Sequence, residues 1–545
     1  MKFINIKLRT LIPLACLGII SLAGCKKDWL DINTNPNTLP TPRPDYVLTS
    51  AINRNAAVLG ANETGSYWSA QWTQSSTYVL SSTIFTYNFN NTNFNYWDGW
   101  YDILEDLQYS INTADKANLP ALKGPSKVMK AYIYQELVDC YGNIPFTEAL
   151  KGSGILAPKF DDQKTVYENL IKMLDEAIVD LKANAFDVTS SAADIVFKGN
   201  ATNWIRFANS LKLRILIRQS RIAGRDAYIT AEITKAAATT EGFLNPGQDV
   251  GSNPGYVAAT SQTNPFYDNW GYDPNGAVRA LGRYPRPTTY LFNALTSTND
   301  TFRLKTMFWA KGGEDVDRPG FNLVSKAGDA APSDPAKLPK SDGFKDVPLD
   351  QYVAVPFGIS SGYLAQNTSY IGSSMLSKGK ISNPMYLMLA AESYFLLAEA
   401  KERYPTLTLP ATGTDGSAKG FYEQGVRESF RITGTTAKYT GGTDRATILL
   451  TSGLNLADWN ASPDKLKAIW QQKWLALANF AGLEAWTDNR RTGFPVLPLS
   501  ASAAAGTTPP VRLYYPTSEV GSNGDNVKAQ GNINVFTSRL FWDID

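Results

Sequence analysis

Residues 384–404 read PMYLMLAAESYFLLAEAKERY, and FYEQGVRESF follows at residues 421–430. In the second segment, Phe421 or Tyr422, Val426 and Phe430 recur at the spacing that places side chains on one face of an α-helix. The first segment is longer, and it ends in charged residues after an apolar run. Two such helices, each with an apolar face that needs a neighbour, predict a packed helical hairpin.

Five further segments show apolar residues at helical spacing, so we expect a mainly α protein built of stacked helix pairs. The segment at 128–142 ends in Gly142, which we expect to cap its helix, with Pro145 shortly after. The helical frame is predicted at about 45–220 and 383–490 within a single domain, 45–545. The helical segments lie at 97–116, 128–142, 165–182, 203–220 and 464–486.

Two parts of the chain lack this periodicity. Residues 221–382 are rich in Gly, Pro, Asn, Ser and aromatic residues, and 491–545 form an irregular C-terminal segment. Long irregular stretches in a compact protein usually carry function. We therefore expect a large, loop-rich ligand-binding half at about 221–382, laid over the helical frame.

Composition and charge exclude several classes of protein. The chain has 545 residues, of which 43% are apolar and 19% charged, with a formal net charge of +2. Three of its basic residues, Lys2, Lys7 and Arg9, lie in the first 24 residues, so the remainder carries a formal charge of −1. A nearly neutral chain lacks the basic surface of a nucleic-acid binder. We expect no nucleic-acid partner.

The sequence contains no histidine. This excludes His-assisted nucleophiles and histidine metal ligands, and it removes the usual general base near neutral pH. The GISSG motif at 358–362 therefore cannot be a hydrolase elbow. Glu392 and Glu399 would lie ~10.5 Å apart along a helix, too far for a glycosidase pair, so they are expected to pair with backbone or arginine. We expect neither an enzyme nor a cofactor, although a structural calcium ion in the loops is left open.

The N-terminus reads as a lipoprotein signal peptide, residues 1–24. A basic start precedes about ten apolar residues, which is too short to span a bilayer. Leu22-Ala23-Gly24-Cys25 matches the lipobox, in which the cysteine is acylated; several acyl chains anchor a protein stably. Cys25 is therefore the predicted lipidation site, and 25–44, rich in Asn, Pro and Thr, the predicted anchor and tether. Cys140, in an apolar helical pattern, is expected to be buried.

Several segments, in this order, resemble the SusD/RagB-like nutrient-binding lipoproteins of the Bacteroidetes outer membrane. They include DWLDINTNPN after the lipobox, FKGNATNWIRFANSLKLRILIR, NPMYLMLAAESYFLLAEA, IWQQKWLALANFAGLEAWTDNRRTGFP and RLYYPTSE. The short opening is similar to the SusD-like subgroup with a compact helical core. The resemblance implies tetratricopeptide-like helix pairs carrying an irregular binding half. Lys27-Asp28 fits the family's export signal, although Trp29 stands where a second acid is common.

The resemblance also implies a function. Family members are binding proteins that sit as a hinged lid over a SusC-like, TonB-dependent barrel transporter. The expected protein is lipid-anchored in the outer membrane, faces the cell exterior and captures oligosaccharide. A peptide-binding RagB-type lipoprotein is the alternative. A secreted carbohydrate-active enzyme and a purely structural scaffold are two further alternatives.

Aromatic loops supply the candidate ligand contacts, because sugar rings stack on indole and phenol rings while polar groups bind the hydroxyls. Residues 264–286, NPFYDNWGYDPNGAVRALGRYPR, combine four such rings with polar and charged side chains. YDPNG could instead be a simple turn. If Trp270 is exposed among these turn formers, Trp270→Ala should abolish or strongly weaken glycan retention and leave the melting temperature nearly unchanged. The predicted ligand-binding residues are Tyr267, Asn269, Trp270, Tyr272, Arg283 and Tyr78.

Overall fold

The computed structural model describes residues 41–61, 64–79, 82–277, 279–311, 349–359, 361–376, 380–435, 444–504 and 506–544. The predicted signal peptide, Cys25, most of the tether, Ser360 of the GISSG motif and residues 312–348 lie outside the described residues.

Helices dominate the described residues, which confirms the mainly α fold. The N-terminal part holds α1 Pro44–Gly60, α2 Thr64–Trp68, α3 Thr83–Thr86, α4 Trp97–Thr113, α5 Lys123–Tyr141, α6 Gln163–Ala183, α7 Val188–Ala193, α8 Ala201–Arg218 and α9 Asp226–Ala237. The central part holds α10 Pro265–Trp270, α11 Thr289–Ser297, α12 Thr301–Met307 and α13 Ser373–Leu376. The C-terminal part holds α14 Ala390–Arg403, α15 Ala418–Ile432, α16 Arg445–Leu450, α17 Lys465–Leu477, α18 Gly482–Thr492, α19 Thr517–Ser522 and α20 Gly524–Lys528.

Strands are short, and within the described residues they form antiparallel pairs. The pairs are β1 Trp72–Gln74 with β5 Pro285–Pro287, β2 Ile144–Pro145 with β3 Phe160–Asp161, β4 Val250–Ser252 with β8 Met385–Met388, and β6 Phe308–Trp309 with β7 Tyr370–Ile371. Three of these pairs join segments that are far apart in the chain. The central region is therefore less irregular than the sequence indicated, because short helices and strands interrupt its loops.

The long helices pack as successive pairs: α1 on α4, α5 on α6, α8 on α9, α14 on α15 and α17 on α18. Further contacts of α4 with α5, α6 with α8, α8 with α14, and α14 with α17 join the five pairs into one stack. Local sequence sets the helix ends. Gly142 ends α5 with a φ of +81°, as expected, and the side chains of Asp162, Asn200 and Ser417 accept backbone hydrogen bonds at the starts of α6, α8 and α15.

Helix α14 of the α14–α15 hairpin also packs on α8 and α17. All residues from Ala390 to Ala400 are buried, including Glu392 and Glu399. A Cβ atom at Gly425 of α15 would lie 2.8 Å from the Phe395 ring, so only glycine permits this close approach. A helix buried on every side must find partners for its polar groups.

Those partners are arginines from neighbouring helices. The Arg214 guanidinium of α8 contacts Glu392 through Nε–Oε1 and Nη2–Oε2 at 2.7 and 2.8 Å, and Arg491 of α18 contacts Glu399 through Nη1–Oε1 and Nη2–Oε2 at the same distances. Burial alone would raise the pKa of Glu399, but the charges of Arg491 and Arg403 lower it to about 2. The expectation that these glutamates pair with arginine is confirmed, and Cys140 is buried as expected.

Aromatic residues of the central region also contribute to the core, which corrects a sequence-based prediction. Tyr267, Trp270 and Tyr272 are 2, 1 and 1% exposed. Trp270 lies on α10, and its Nε1 donates to the Gly60 carbonyl of α1 over 3.0 Å. The expected exposure of these rings is wrong, because helix α10 packs its aromatic face against α1.

Trp270→Ala is therefore expected to lower the free energy of unfolding by about 3–5 kcal/mol, because it empties a packed site. Urea denaturation measures this change. Tyr46→Ala, a 60% exposed ring on α1, is the control and should change stability by less than about 0.5 kcal/mol. Unchanged stability of Trp270→Ala would contradict the core role.

Glu136 of α5 is a buried carboxyl with a distant counter-charge, since Arg214 Nη1 lies 3.9 Å from its Oε1. Burial raises its pKa from 4.5 to about 8, and the Arg214 charge offsets only part of this effect. The unfolded chain releases this proton near pH 4.5, whereas the folded chain keeps it until about pH 8. Raising the pH through this window therefore lowers stability.

Glu136→Gln removes this titration, so the melting temperature of the variant relative to wild type should rise from pH 5 towards about pH 8 and then level off. Calorimetry at fixed ionic strength measures the melting temperatures of both proteins at each pH. Glu105→Gln, at an exposed position on α4, is the control and should show no such trend. Parallel curves for Glu136→Gln and wild type would refute the assignment.

Candidate functional site

The β1–β5 pairing brings two distant aromatic segments together. Trp72 pairs with Pro287, Thr73 with Arg286 and Gln74 with Pro285. The chain that leaves β1 at residue 75 therefore runs beside the chain that enters β5, residues 281–284. In this way Tyr78 meets Arg283 and Tyr284, about 205 residues further along the chain.

These residues form a cluster at the surface, which we name the Tyr78 surface: Tyr78, Arg283 and Tyr284, with Tyr363 and Leu364 on the adjoining segment. The Arg283 guanidinium lies 5.9 Å from the centre of the Tyr78 ring, and its Nη1 is 3.5 Å from the hydroxyl. The Tyr284 ring meets Tyr78 edge to face at 6.0 Å. Arg283 is exposed and both tyrosines are half-buried, so part of each of the three side chains reaches solvent.

The segment 361–365 adjoins the cluster through backbone contacts. The Ser76 N–H donates to the Tyr363 carbonyl over 2.8 Å, and the Ala365 N–H donates to Thr77 Oγ1 over 3.2 Å. Leu364 is 45% exposed and Val79, next to Tyr78, is 49% exposed. Three chain segments thus contribute aromatic, apolar and cationic groups to one surface.

A buried arginine supports this surface from below. Arg286 of β5 is fully buried; its Nη1 donates to the Arg283 carbonyl and its Nε to Thr368 Oγ1, each over 2.8 Å. Its guanidinium also lies 3.6 Å from the centre of the Tyr370 ring. Because these contacts hold the 283 and 368 segments together, the exposed groups above them are preorganised.

The structure separates the six residues predicted to bind ligand. Tyr78 and Arg283 lie together at the Tyr78 surface. Tyr267, Trp270 and Tyr272 are in the core, and the Asn269 side chain donates to the Pro265 carbonyl of its own helix over 2.8 Å. YDPNG is a turn, in which Asp273 Oδ1 accepts from the N–H groups of Asn275 and Ala277 at 2.9 and 2.8 Å.

Sequence reasoning missed Tyr284 and Tyr363. Tyr284 lies inside the aromatic stretch 264–286, immediately before Pro285, the first residue of β5, and it is half-buried there. The sequence carries no signal for this, since short strands paired across 200 residues leave no local pattern. Tyr363 lies in a turn-rich segment that offers no periodicity at all.

The acids and arginines considered in the sequence analysis are engaged inside the helical frame. Glu392 and Glu399 are paired with Arg214 and Arg491 inside the helical frame. Arg490 and Arg491 likewise serve the frame: the Arg490 Nη1 donates to the Val511 carbonyl over 2.7 Å, and its guanidinium stacks 3.6 Å from the centre of the Trp486 ring. No group of three or more acidic, cysteine or histidine side chains placed to hold a metal ion occurs in the described part of the chain. None of the described helices is long and apolar enough to cross a membrane.

Comparisons with known proteins agree with this architecture. A family model described as starch-binding and associating with the outer membrane matches residues 36–339 and 336–516. No curated protein matches the chain. A SusD homologue from Bacteroides uniformis superposes with a TM-score of 0.69 at 24% identity, over 92% of this chain and 100% of that one.

Two further solved structures share the fold. A chitin-binding SusD homologue from Flavobacterium johnsoniae superposes with a TM-score of 0.67 at 22% identity, covering 92% of this chain and 98% of the other. A SusD homologue from Bacteroides fragilis gives 0.69 at 21% identity, with 92% and 99% covered. With the family model matching most of its length, and with its helix pairs stacked as in tetratricopeptide repeats, the chain belongs to the SusD-like family of outer-membrane-associated binding proteins.

Proposed function

We propose that this protein is a cell-surface lipoprotein that captures oligosaccharide at the Tyr78 surface. The observation that carries the proposal is the cluster of Tyr78, Arg283 and Tyr284, part-exposed above the buried Arg286. Phenol rings stack on the C–H faces of sugars, while guanidinium and hydroxyl groups bind sugar hydroxyls. The family description, starch-binding, and the chitin-binding relative favour glycan over the peptide alternative.

The captured glycan is passed to a SusC-like, TonB-dependent barrel transporter, over which the protein acts as a lid. Cys25 carries the lipid anchor, and residues up to 44 tether the folded part to the membrane. In this proposal the protein binds glycan without cleaving it, needs no cofactor and faces the cell exterior. The membership of the family supports this role for the chain.

A panel of glycans tests both which class of ligand the protein binds and whether it cleaves that ligand. The purified protein is run on affinity gels containing starch, chitin-derived and other polysaccharides, and the oligosaccharide products are sized afterwards. Retention without chain shortening is expected. Chain shortening would overturn the binding role in favour of an enzyme, and binding of peptides but of no glycan would favour the RagB-type alternative.

Tyr284→Ala and Tyr78→Ala should each weaken glycan retention at least tenfold, about 1.4 kcal/mol, because each removes a ring that stacks on the sugar. Both should unfold within a few degrees of wild type, since the rings are only half-buried. Tyr46→Ala, an exposed ring on α1, should retain full binding. If all three variants bind equally well, the glycan site lies elsewhere.

Acylation of Cys25 is tested by labelling cells with an alkynyl fatty acid. Wild-type protein should take up the label and fractionate with the outer membrane. Cys25→Ala should lose both properties because it removes the thiol that carries the lipid, and Cys140→Ala, a change at a buried thiol, should keep both. Label on Cys25→Ala would refute the lipid site.

A further inference from the structure

A second surface feature lies apart from the Tyr78 surface. A cavity of about 290 Å³ opens between the start of α4, the segment 145–158 and α19. Its walls are apolar, formed by Tyr101, Pro145, Leu150 and Pro158 among others. The cavity is large enough for one long side chain, and it is close to the lower limit of small-ligand pockets.

The polar part of the lining is acidic. Asp98, Asp102 and Glu519 line the cavity, and no lysine or arginine is among its lining residues. Asp98 accepts only from neutral donors, Asn95 Nδ2 at 2.7 Å and Ser518 Oγ at 2.6 Å, among its recorded hydrogen bonds. Asp102 pairs with a cation only at the solvent edge, where Arg54 Nη2 lies 3.4 Å away. The cavity therefore presents more negative charge than its surroundings neutralise.

The ionisation of the Glu519 carboxyl depends on whether a cation occupies the cavity. Asn523 Nδ2 donates to its Oε1 over 2.7 Å. Burial raises the pKa of Glu519 above its ordinary value; hydrogen bonds from Asn523 and Trp97 offset part of this effect, and the nearby Asp98 charge adds to it. A cation that enters the cavity would relieve this repulsion and favour the ionised carboxylate.

The loop that supplies Pro158 to the cavity carries exposed apolar side chains and is held in place by hydrogen bonds. Ile155 and Leu156 are 37 and 80% exposed on the loop that also supplies Pro158. Asn523 Nδ2 donates to the Pro158 carbonyl over 2.8 Å, and Asn526 Nδ2 donates to the Ala157 carbonyl over 3.1 Å. These two adjacent exposed side chains are available to pack against an apolar residue of a partner.

The geometry disfavours two other occupants. The three carboxylates do not come together as a metal-binding group in the described part of the chain. Trp97 is 3% exposed and its indole packs against Tyr101 and Phe160 at 4.8 and 5.9 Å between ring centres, so it offers a sugar no exposed ring face. An ammonium or guanidinium group on an aliphatic stem fits both the apolar walls and the acidic lining.

We propose that this cavity accepts a lysine or arginine side chain of a partner protein, whose neighbouring apolar residue packs on Ile155 and Leu156. The basic head group reaches Asp98 and Glu519, and the stem lies against Tyr101, Pro145 and Pro158. The site is separate from the Tyr78 surface and does not depend on glycan binding.

The test uses the folded protein and two fluorescein-labelled peptides, acetyl-Gly-Leu-Lys-Leu-Gly-amide and the same peptide with norleucine for lysine. Anisotropy titrations run to about 2 mM, where weak single-anchor binding is measurable. The lysine peptide should bind at least about tenfold more tightly, because norleucine keeps the stem and removes the charge. Equal binding of both peptides, or of neither, would overturn the proposal.

Three variants test whether the lysine peptide binds in the cavity. The double variant Asp98→Asn, Glu519→Gln should lose at least about tenfold in affinity for the lysine peptide, and Leu156→Ser should weaken both peptides equally. Asp115→Asn, an exposed acid on the turn after α4, is the matched control and should bind as wild type does. Glycan retention should be unchanged in all of them, which separates this proposal from the proposed function.

Glucosamine and calcium are titrated in parallel as competitors. Neither should displace the lysine peptide at concentrations where a lysine-bearing competitor does. Displacement by glucosamine or calcium that is lost in the double variant would assign the cavity to that ligand instead. An unaffected lysine-peptide affinity in the double variant would also refute the proposal, whatever the competitors do.

Discussion

Buried ion pairs between helices determine how this frame assembles. Glu392 and Glu399 lie on α14, and each receives a bidentate arginine, Arg214 from α8 and Arg491 from α18. Removing charges from water is costly, and leaving one partner unpaired costs about 3–5 kcal/mol. A shift of α14 against either neighbour would break both hydrogen bonds of a pair, so these contacts favour one register of the stack.

The network continues beyond these pairs and reaches the candidate site. Lys473 of α17 contacts Glu484 and Asp488 of α18 at 3.1 and 3.3 Å. Trp474 of α17 also holds the connection between α2 and β1: the Gln71 side chain donates to the Trp474 carbonyl and the Trp474 indole donates to the Ser69 carbonyl, over 2.9 and 3.0 Å. These contacts hold the residues just before β1 against α17. The strand that leads to Tyr78 is therefore anchored in the charged core.

Aromatic residues perform two different tasks in this protein. In α10 they fill the space between the central region and α1, where Trp270 packs edge to face on Trp72 at 5.6 Å. At the Tyr78 surface, rings of the same type remain half-buried beside the exposed Arg283. The difference comes from the backbone: a short helix turns its rings inward, while the ends of a short strand pair hold their neighbours at the surface.

The sequence by itself determined the local properties of the chain. Helical periodicity placed most of the long helices, although not α1 or α9, Gly142 marked a helix end, and the absence of histidine excluded histidine-dependent catalytic sites. Expecting Glu392 and Glu399 to pair with arginine was also possible, because carboxylates in an apolar helix need partners. The order of weak motifs was sufficient to identify the family.

Only the tertiary structure decided which aromatic residues are exposed. Trp270 and Tyr284 lie 14 residues apart in one polar, turn-rich stretch, yet the first is in the core and the second at the surface. Their burial depends on α1 and on β1, which contact this stretch from about 200 residues away. Such contacts form between distant segments when the helices stack, and for that reason no local pattern predicts them.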